Sequence, residues 1–139
     1  MTSFSEQIAA FNRKCEKRMR AVARTAVQET IAEAQTPQGR GGRLRIKTGF
    51  LRASIAAALG RMPSGESENP GNRQFDWDID ALAPTLLRWD PNTGETLFVG
   101  WLASYARARE YHDGFMRGAA ENWDANVKKA NEEAQRRIP

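Results

Sequence analysis

The chain has 139 residues, 40% of them hydrophobic and 27% charged, which fits one globular domain and excludes a disordered chain. Such a domain buries roughly two thirds of its unfolded surface, enough for a modest core. The longest uncharged run, Thr96 to Ala106, falls far short of the ~20 apolar residues a membrane helix needs; the polar N-terminus does not read as an export signal, and the lone Cys15 forms no internal disulfide.

The net charge of +4 is unevenly spread. Residues 40–62 carry Arg40, Arg43, Arg45, Lys47, Arg52 and Arg61 and no acid, whereas residues 63–96 carry seven acids against Arg73 and Arg88. A basic block followed by an acidic one suits DNA contact, or self-association between complementary patches.

In chain order, Ser3 and Glu6 form a capping box, the hydroxyl and carboxylate each satisfying a free backbone N–H at a helix start. Phe4, Ile8, Phe11, Cys15, Met19, Val22 and Ala26 follow at steps of three and four. This predicts one long amphipathic helix ending near Gln35, before Pro37. At ~1.5 Å per residue it reaches roughly 50 Å, so it is either a core helix or one that also packs on a neighbouring subunit. On the apolar stripe Cys15 is expected as a buried, inert thiol.

Residues 36–49 read as a flexible basic loop rich in Gly and Arg. The run Leu51 to Leu59 suits helix or strand, and the alternation of Ile55, Ala57 and Leu59 favours strand. Residues 60–73 form a second, polar loop. Gln74 to Ala81 reads as the clearest strand, with Phe75, Trp77, Ile79 and Ala81 on one face and Asp76, Asp78 and Asp80 on the other. Leu86–Trp89 and Thr96–Trp101 flank Asp90-Pro91-Asn92-Thr93-Gly94 and predict a hairpin. A short helix follows, and a last helix from Asp113 or Gly114 carries Phe115, Ala119, Trp123, Val127, Ala130, Ala134 and Ile138. The expected fold is α+β, a single domain over 1–139: long N-terminal helix, three- to four-stranded antiparallel sheet, short helix and long C-terminal helix packed on the sheet.

Little in the sequence carries chemistry. His112 and Cys15, one of each type, are too few for a Cys/His zinc site. Asp76-x-Asp78-x-Asp80 opens like a calcium loop, but Ala81 and Leu87 stand where that loop needs glycine and glutamate. Gly39-Arg40-Gly41-Gly42 and Lys47-Thr48-Gly49 lack the spacing of a phosphate-binding loop. Nothing assembles a nucleophile, a base and an oxyanion stabiliser, so no enzyme, cofactor or metal is expected.

Two stretches carry a resemblance. Lys47-Thr48-Gly49-Phe50-Leu51-Arg52-Ala53-Ser54-Ile55 resembles the x-T-G-x-L-x-x-S-I segment of the tail-completion (neck) proteins of long-tailed double-stranded-DNA phages, a group related to the lambda minor tail protein Z. Tyr105-Ala106, then Glu110-Tyr111, Gly114 and Phe115-Met116-Arg117-x-Ala119-Ala120, resemble that family's Y-A-x-x-x-E-x-G … F-x-R-P-A ending. Gly118 replaces the family's proline, the usual G-T loop before Phe115 is missing, and residues 60–96 carry no matched position.

The resemblance implies a non-enzymatic virion protein, assembled in the host bacterial cytoplasm, in a homo-oligomeric ring at the head–tail junction, commonly six-fold. It implies as neighbours a head-side connector or stopper and the tail tube, with DNA passing through the channel and no membrane. A head-to-tail ring needs two complementary patches on each subunit. Arg40, Arg43, Arg45 and Lys47 against Asp76, Asp78 and Asp80 of the next subunit or ring are the candidates. The rival reading is a nucleic-acid-binding module using residues 40–62; a toxin-like or nuclease enzyme is a third.

Overall fold

The structure, a computed structural model, describes residues 3–69, 71 and 73–139; Pro70 and Asn72 of the expected 60–73 loop lie outside the described residues. Helix α1 (Phe4–Ala34) opens with the capping box: the Ser3 hydroxyl accepts from the Glu6 amide and the Glu6 carboxylate accepts from the Ser3 amide. It ends at Gln35, as the sequence predicts. Only its second half is covered. Ala26, Ile31 and Ala34 are buried, while Phe4 is 77% and Phe11 65% exposed.

Cys15 is exposed too, which corrects the expectation of a buried thiol. Among the described residues, the hydrogen bonds and ion pairs that tie α1 to the body of the protein begin at Glu16. There the Asn92 side chain donates to the Glu16 carbonyl at 3.0 Å, Arg18 donates to the Ile138 carbonyl, and Arg20 lies 3.7 Å from Asp90.

The 36–49 segment makes a 3-10 turn at Gln38–Arg40 and is pinned at Leu44, which is fully buried. The Leu44 amide donates to the Thr36 carbonyl and its carbonyl accepts from Gln38. The Leu51–Leu59 run, expected as strand, divides into a short helix α2 (Phe50–Ala53) and strand β1 (Ile55–Leu59).

The expected strand Gln74–Ala81 is a correction. Its alternation of exposure holds from Phe75 to Asp80, but it pairs with neither strand, runs extended and closes in a 3-10 turn at Ile79–Ala81. The hairpin arm Leu86–Trp89 is a second correction, because it lies in helix α3 (Ala83–Arg88). Pro84 in the first turn suits a helix start. Leu82 and Leu86, four apart, are both buried against Ile31 and Ile55, while Pro84 between them, which a strand would place on the same face, is exposed. The Trp89 indole N–H closes the following turn on the Glu95 carbonyl at 2.9 Å.

Strand β2 (Leu97–Trp101) pairs antiparallel with β1, Ile55 opposite Trp101 and Leu59 opposite Leu97. Among the described residues the sheet therefore has two strands rather than three or four, and the domain is a small α+β unit whose two-stranded antiparallel sheet is flanked by helices. Three helices follow instead of two: α4 (Ala106–Asp113), α5 (Phe115–Ala120) and α6 (Trp123–Arg137). The expected last helix breaks at Asn122, whose side chain is held by Glu33 of α1. The small buried Ala130 and Ala134 let α6 lie along the second half of α1. Two core clusters result, one around Leu44, Phe50, Leu51 and Phe115, the other around Ile31, Ile55, Leu82 and Leu86, and Trp101 packs against both.

Candidate functional site

The two motif segments, half the chain apart, converge on one node. Thr48 sets the first: its hydroxyl accepts from the Phe50 amide at 3.2 Å, at the start of α2. Gly49 then takes φ +81°, and a Cβ there would run into the Phe75 carbonyl oxygen, so both conformation and space require glycine. Leu51 and Ile55 enter the two core clusters, and the Ser54 hydroxyl donates to the Leu51 carbonyl at 2.6 Å.

The second segment meets this from the other side. The Tyr105 ring lies 6.4 Å from that of Phe50, and Ala106 packs against the same cluster. Glu110 reaches past Gly114, the left-handed residue ending α4, and its carboxylate accepts from the Met116 amide at 2.8 Å and the Arg117 amide at 3.0 Å. This supplies α5 with acceptors for otherwise unpaired amides, and puts negative charge at its positive end. Phe115, buried beneath, packs edge-on to Trp101 at 5.0 Å. The Arg117 side chain stays at the surface.

Leu44 divides the basic loop. On one side Arg45 and Lys47 join Arg52, Arg109 and His112 around an 860 Å³ cleft with Tyr105 and Asn69. Among the described residues, its lining contains no carboxylate. Arg109 is bound to Asp113 at 2.8 Å; that bond, with the charge of Asp113, holds the guanidinium pKa above its ordinary value. Burial raises the Tyr105 hydroxyl, opposed by a hydrogen bond with the Leu51 backbone. On the other side of Leu44, Arg40 ends the 3-10 turn and Arg43 lies against α5. The structure thus brings Arg45 and Lys47 together, and places Arg40 and Arg43 elsewhere.

Asp76, Asp78 and Asp80 are exposed on the extended segment, with Asp78 also accepting from the Asp80 amide at 3.1 Å. That segment docks through the Phe75 amide on the Thr48 carbonyl, the Phe75 ring on Phe50, and the Arg52 guanidinium 5.3 Å over Trp77. Among the described residues no ion pair links these aspartates to Arg40, Arg43, Arg45 or Lys47. Nor does any group of three or more His, Cys, Asp or Glu side chains there stand ready to hold a metal, and no helix there is long and apolar enough to cross a membrane.

Sequence reading missed two features. Gln35, taken only as a helix end, is a fully buried polar side chain linking α1 to the Arg52 carbonyl and to the Trp101 indole. An apolar groove of 420 Å³ between α1, β2 and the α5–α6 junction was also unforeseen, because its walls come from four separate elements. Compared with known proteins, the chain matches no family model, no curated protein and no solved structure.

Proposed function

We propose that this chain is a structural subunit of a ring at the head–tail junction of a long-tailed phage, a tail-completion or neck protein that joins tail to head and leaves a channel for DNA. The observation that carries the reading is the convergence of the two resembling segments: Thr48, Gly49, Leu51, Tyr105, Glu110 and Phe115 act as turn, cap and packing residues of one node. Such residues preserve a subunit's shape and leave its outer surfaces to meet neighbours. The carboxylates of Asp76, Asp78 and Asp80 on one copy, set against the cleft holding Arg45 and Lys47 on the next, form one heterologous contact, and contacts of this kind close into rings. The partners are then further copies, a head-side connector or stopper, and the tail tube.

Gold-labelled antibody to this chain, applied to purified particles, tests the proposal. Label at the junction of head and tail is expected; particles free of the chain overturn it. The carboxylate-free lining of the cleft favours one second reading, a nucleic-acid-binding module on the basic 40–62 segment. Three phosphates neutralised by Arg45, Lys47 and Arg52 would give duplex DNA affinity a log–log salt slope of about −3. A salt-insensitive or absent interaction removes that reading.

A further inference from the structure

We infer that the first three turns of α1 from one copy seat in the apolar groove of a second copy, head to tail. The inference rests on the self-assembling part of the ring reading and gives it a second contact. On the overhang, Phe4, Ile8 and Phe11 are exposed along one helical stripe with Cys15. The groove is walled by Val27, Leu97, Val99, Met116 and Trp123, the last two about two-fifths exposed at 40% and 39%. A stripe of knobs and an apolar groove on one chain match the helix-in-groove mode of recognition.

The chain cannot satisfy itself. Phe11 and Val27 lie on one continuous helix, so the stripe stays about 24 Å from its own groove. Charge favours a second copy as the occupant. The overhang carries Arg13 and Lys14 beside Glu6, and the groove's surroundings carry Glu95, Glu121 and Asp124, all exposed and, among the described residues, outside every ion pair. Because stripe and groove are different surfaces, each copy can be held on both sides, the geometry a closed ring requires.

The test is complementation between two surface variants, Phe11→Asp and Ala120→Arg, read by light scattering. Both positions are exposed, so both variants should keep the wild-type circular dichroism; Thr96→Arg, also exposed on the groove wall, replaces Ala120→Arg if that variant fails to fold. The wild-type chain should self-associate, and each variant alone should do so about thirtyfold or more weakly. At a concentration where each variant alone is monomeric, their mixture should form a one-to-one dimer, since one retains a groove and the other a helix. A monomeric wild type, variants that assemble like wild type, or a mixture that stays monomeric overturns the inference. Label at the neck with a failed mixture defeats this contact alone; a dimerising mixture with no label on particles defeats the neck reading alone.

Discussion

The Arg43 guanidinium lies against the bare backbone of Gly118 in α5, so close that a Cβ at Gly118 would stand 2.8 Å from Nε and 2.9 Å from Cζ. Gly118 is therefore the seat of an arginine from the basic loop. Alanine at 118 gains about 1 kcal/mol of helix propensity but displaces Arg43. Gly118→Ala should stabilise an Arg43→Ala background by nearly that amount and the wild type by less, with a coupling of about 0.5–1 kcal/mol. Urea unfolding of the four proteins measures it, and equal gains in both backgrounds would show the contact to be energetically idle.

Gly49 is more demanding, because its obstacle is backbone. Gly49→Ala combines a left-handed φ of +81° with a collision at the Phe75 carbonyl. The expected loss is about 2–4 kcal/mol, seen as a lower urea midpoint. Gly94, also at positive φ but with open space around it, is the control: Gly94→Ala should cost about 1 kcal/mol.

Local signals in the sequence were legible, and pairing was not. The capping box at Ser3, the end of α1 at Gln35 and strand β2 follow from patterns a few residues long. The alternation gave the less exposed side chains at Phe75, Trp77 and Ile79 but not at Ala81, which is exposed; alternation reports burial, and the ladder needs a partner strand. None comes: the segment's Phe75 amide bonds to the Thr48 carbonyl, and Asp78 turns the chain into a 3-10 turn. Likewise, the stripe on α1 was visible as periodicity, but whether Cys15 is covered depends on where α6 and the Asn92 turn meet the helix. Of the candidate basic residues, nothing local separates Arg43 from Arg45; the buried Leu44 between them does.

Tyr105 gives a pH signature. Partial burial, opposed by a hydrogen bond with the Leu51 backbone, raises its pKa above the ordinary value near 10, so above pH ~10 the folded chain holds more protons than the unfolded one. The folded state's share of stability from this group is intact below pH ~10 and declines as pH rises through the folded value. Tyr105→Phe should flatten the alkaline decline between about pH 9 and 11. Equal slopes in both proteins would show that the hydroxyl is as solvated folded as unfolded.

Reversing three carboxylates at once tests the charged contact. Asp76, Asp78 and Asp80 make no ion pair among the described residues, so changing all three to Lys should leave the fold intact apart from the turn at Asp78, with a cost within about 1 kcal/mol. In the proposed ring, assembly should nevertheless be blocked, as like charges would meet at the Arg45–Lys47 cleft. Adding Arg45→Glu and Lys47→Glu should restore it. Normal rings from the triple variant would remove the contact.

Gln35 separates two ways of holding α1 to the sheet. Its Nε2 donates to the Arg52 carbonyl at 2.8 Å and its Oε1 accepts from the Trp101 indole at 2.9 Å, so a side chain with no exposure leaves no polar atom unpaired. Gln35→Leu keeps most of the volume and strands both partners, at about 2–4 kcal/mol for two unsatisfied groups. Gln35→Ala removes the same bonds and opens a cavity as well. If hydrogen bonding is the larger effect, leucine should recover less than half of the alanine loss, and the Trp101 indole proton should lose its protection from exchange in both. If volume is the larger effect, leucine should come close to wild type, and the buried amide would then serve to fix the direction in which α1 meets Trp101 rather than to stabilise the fold.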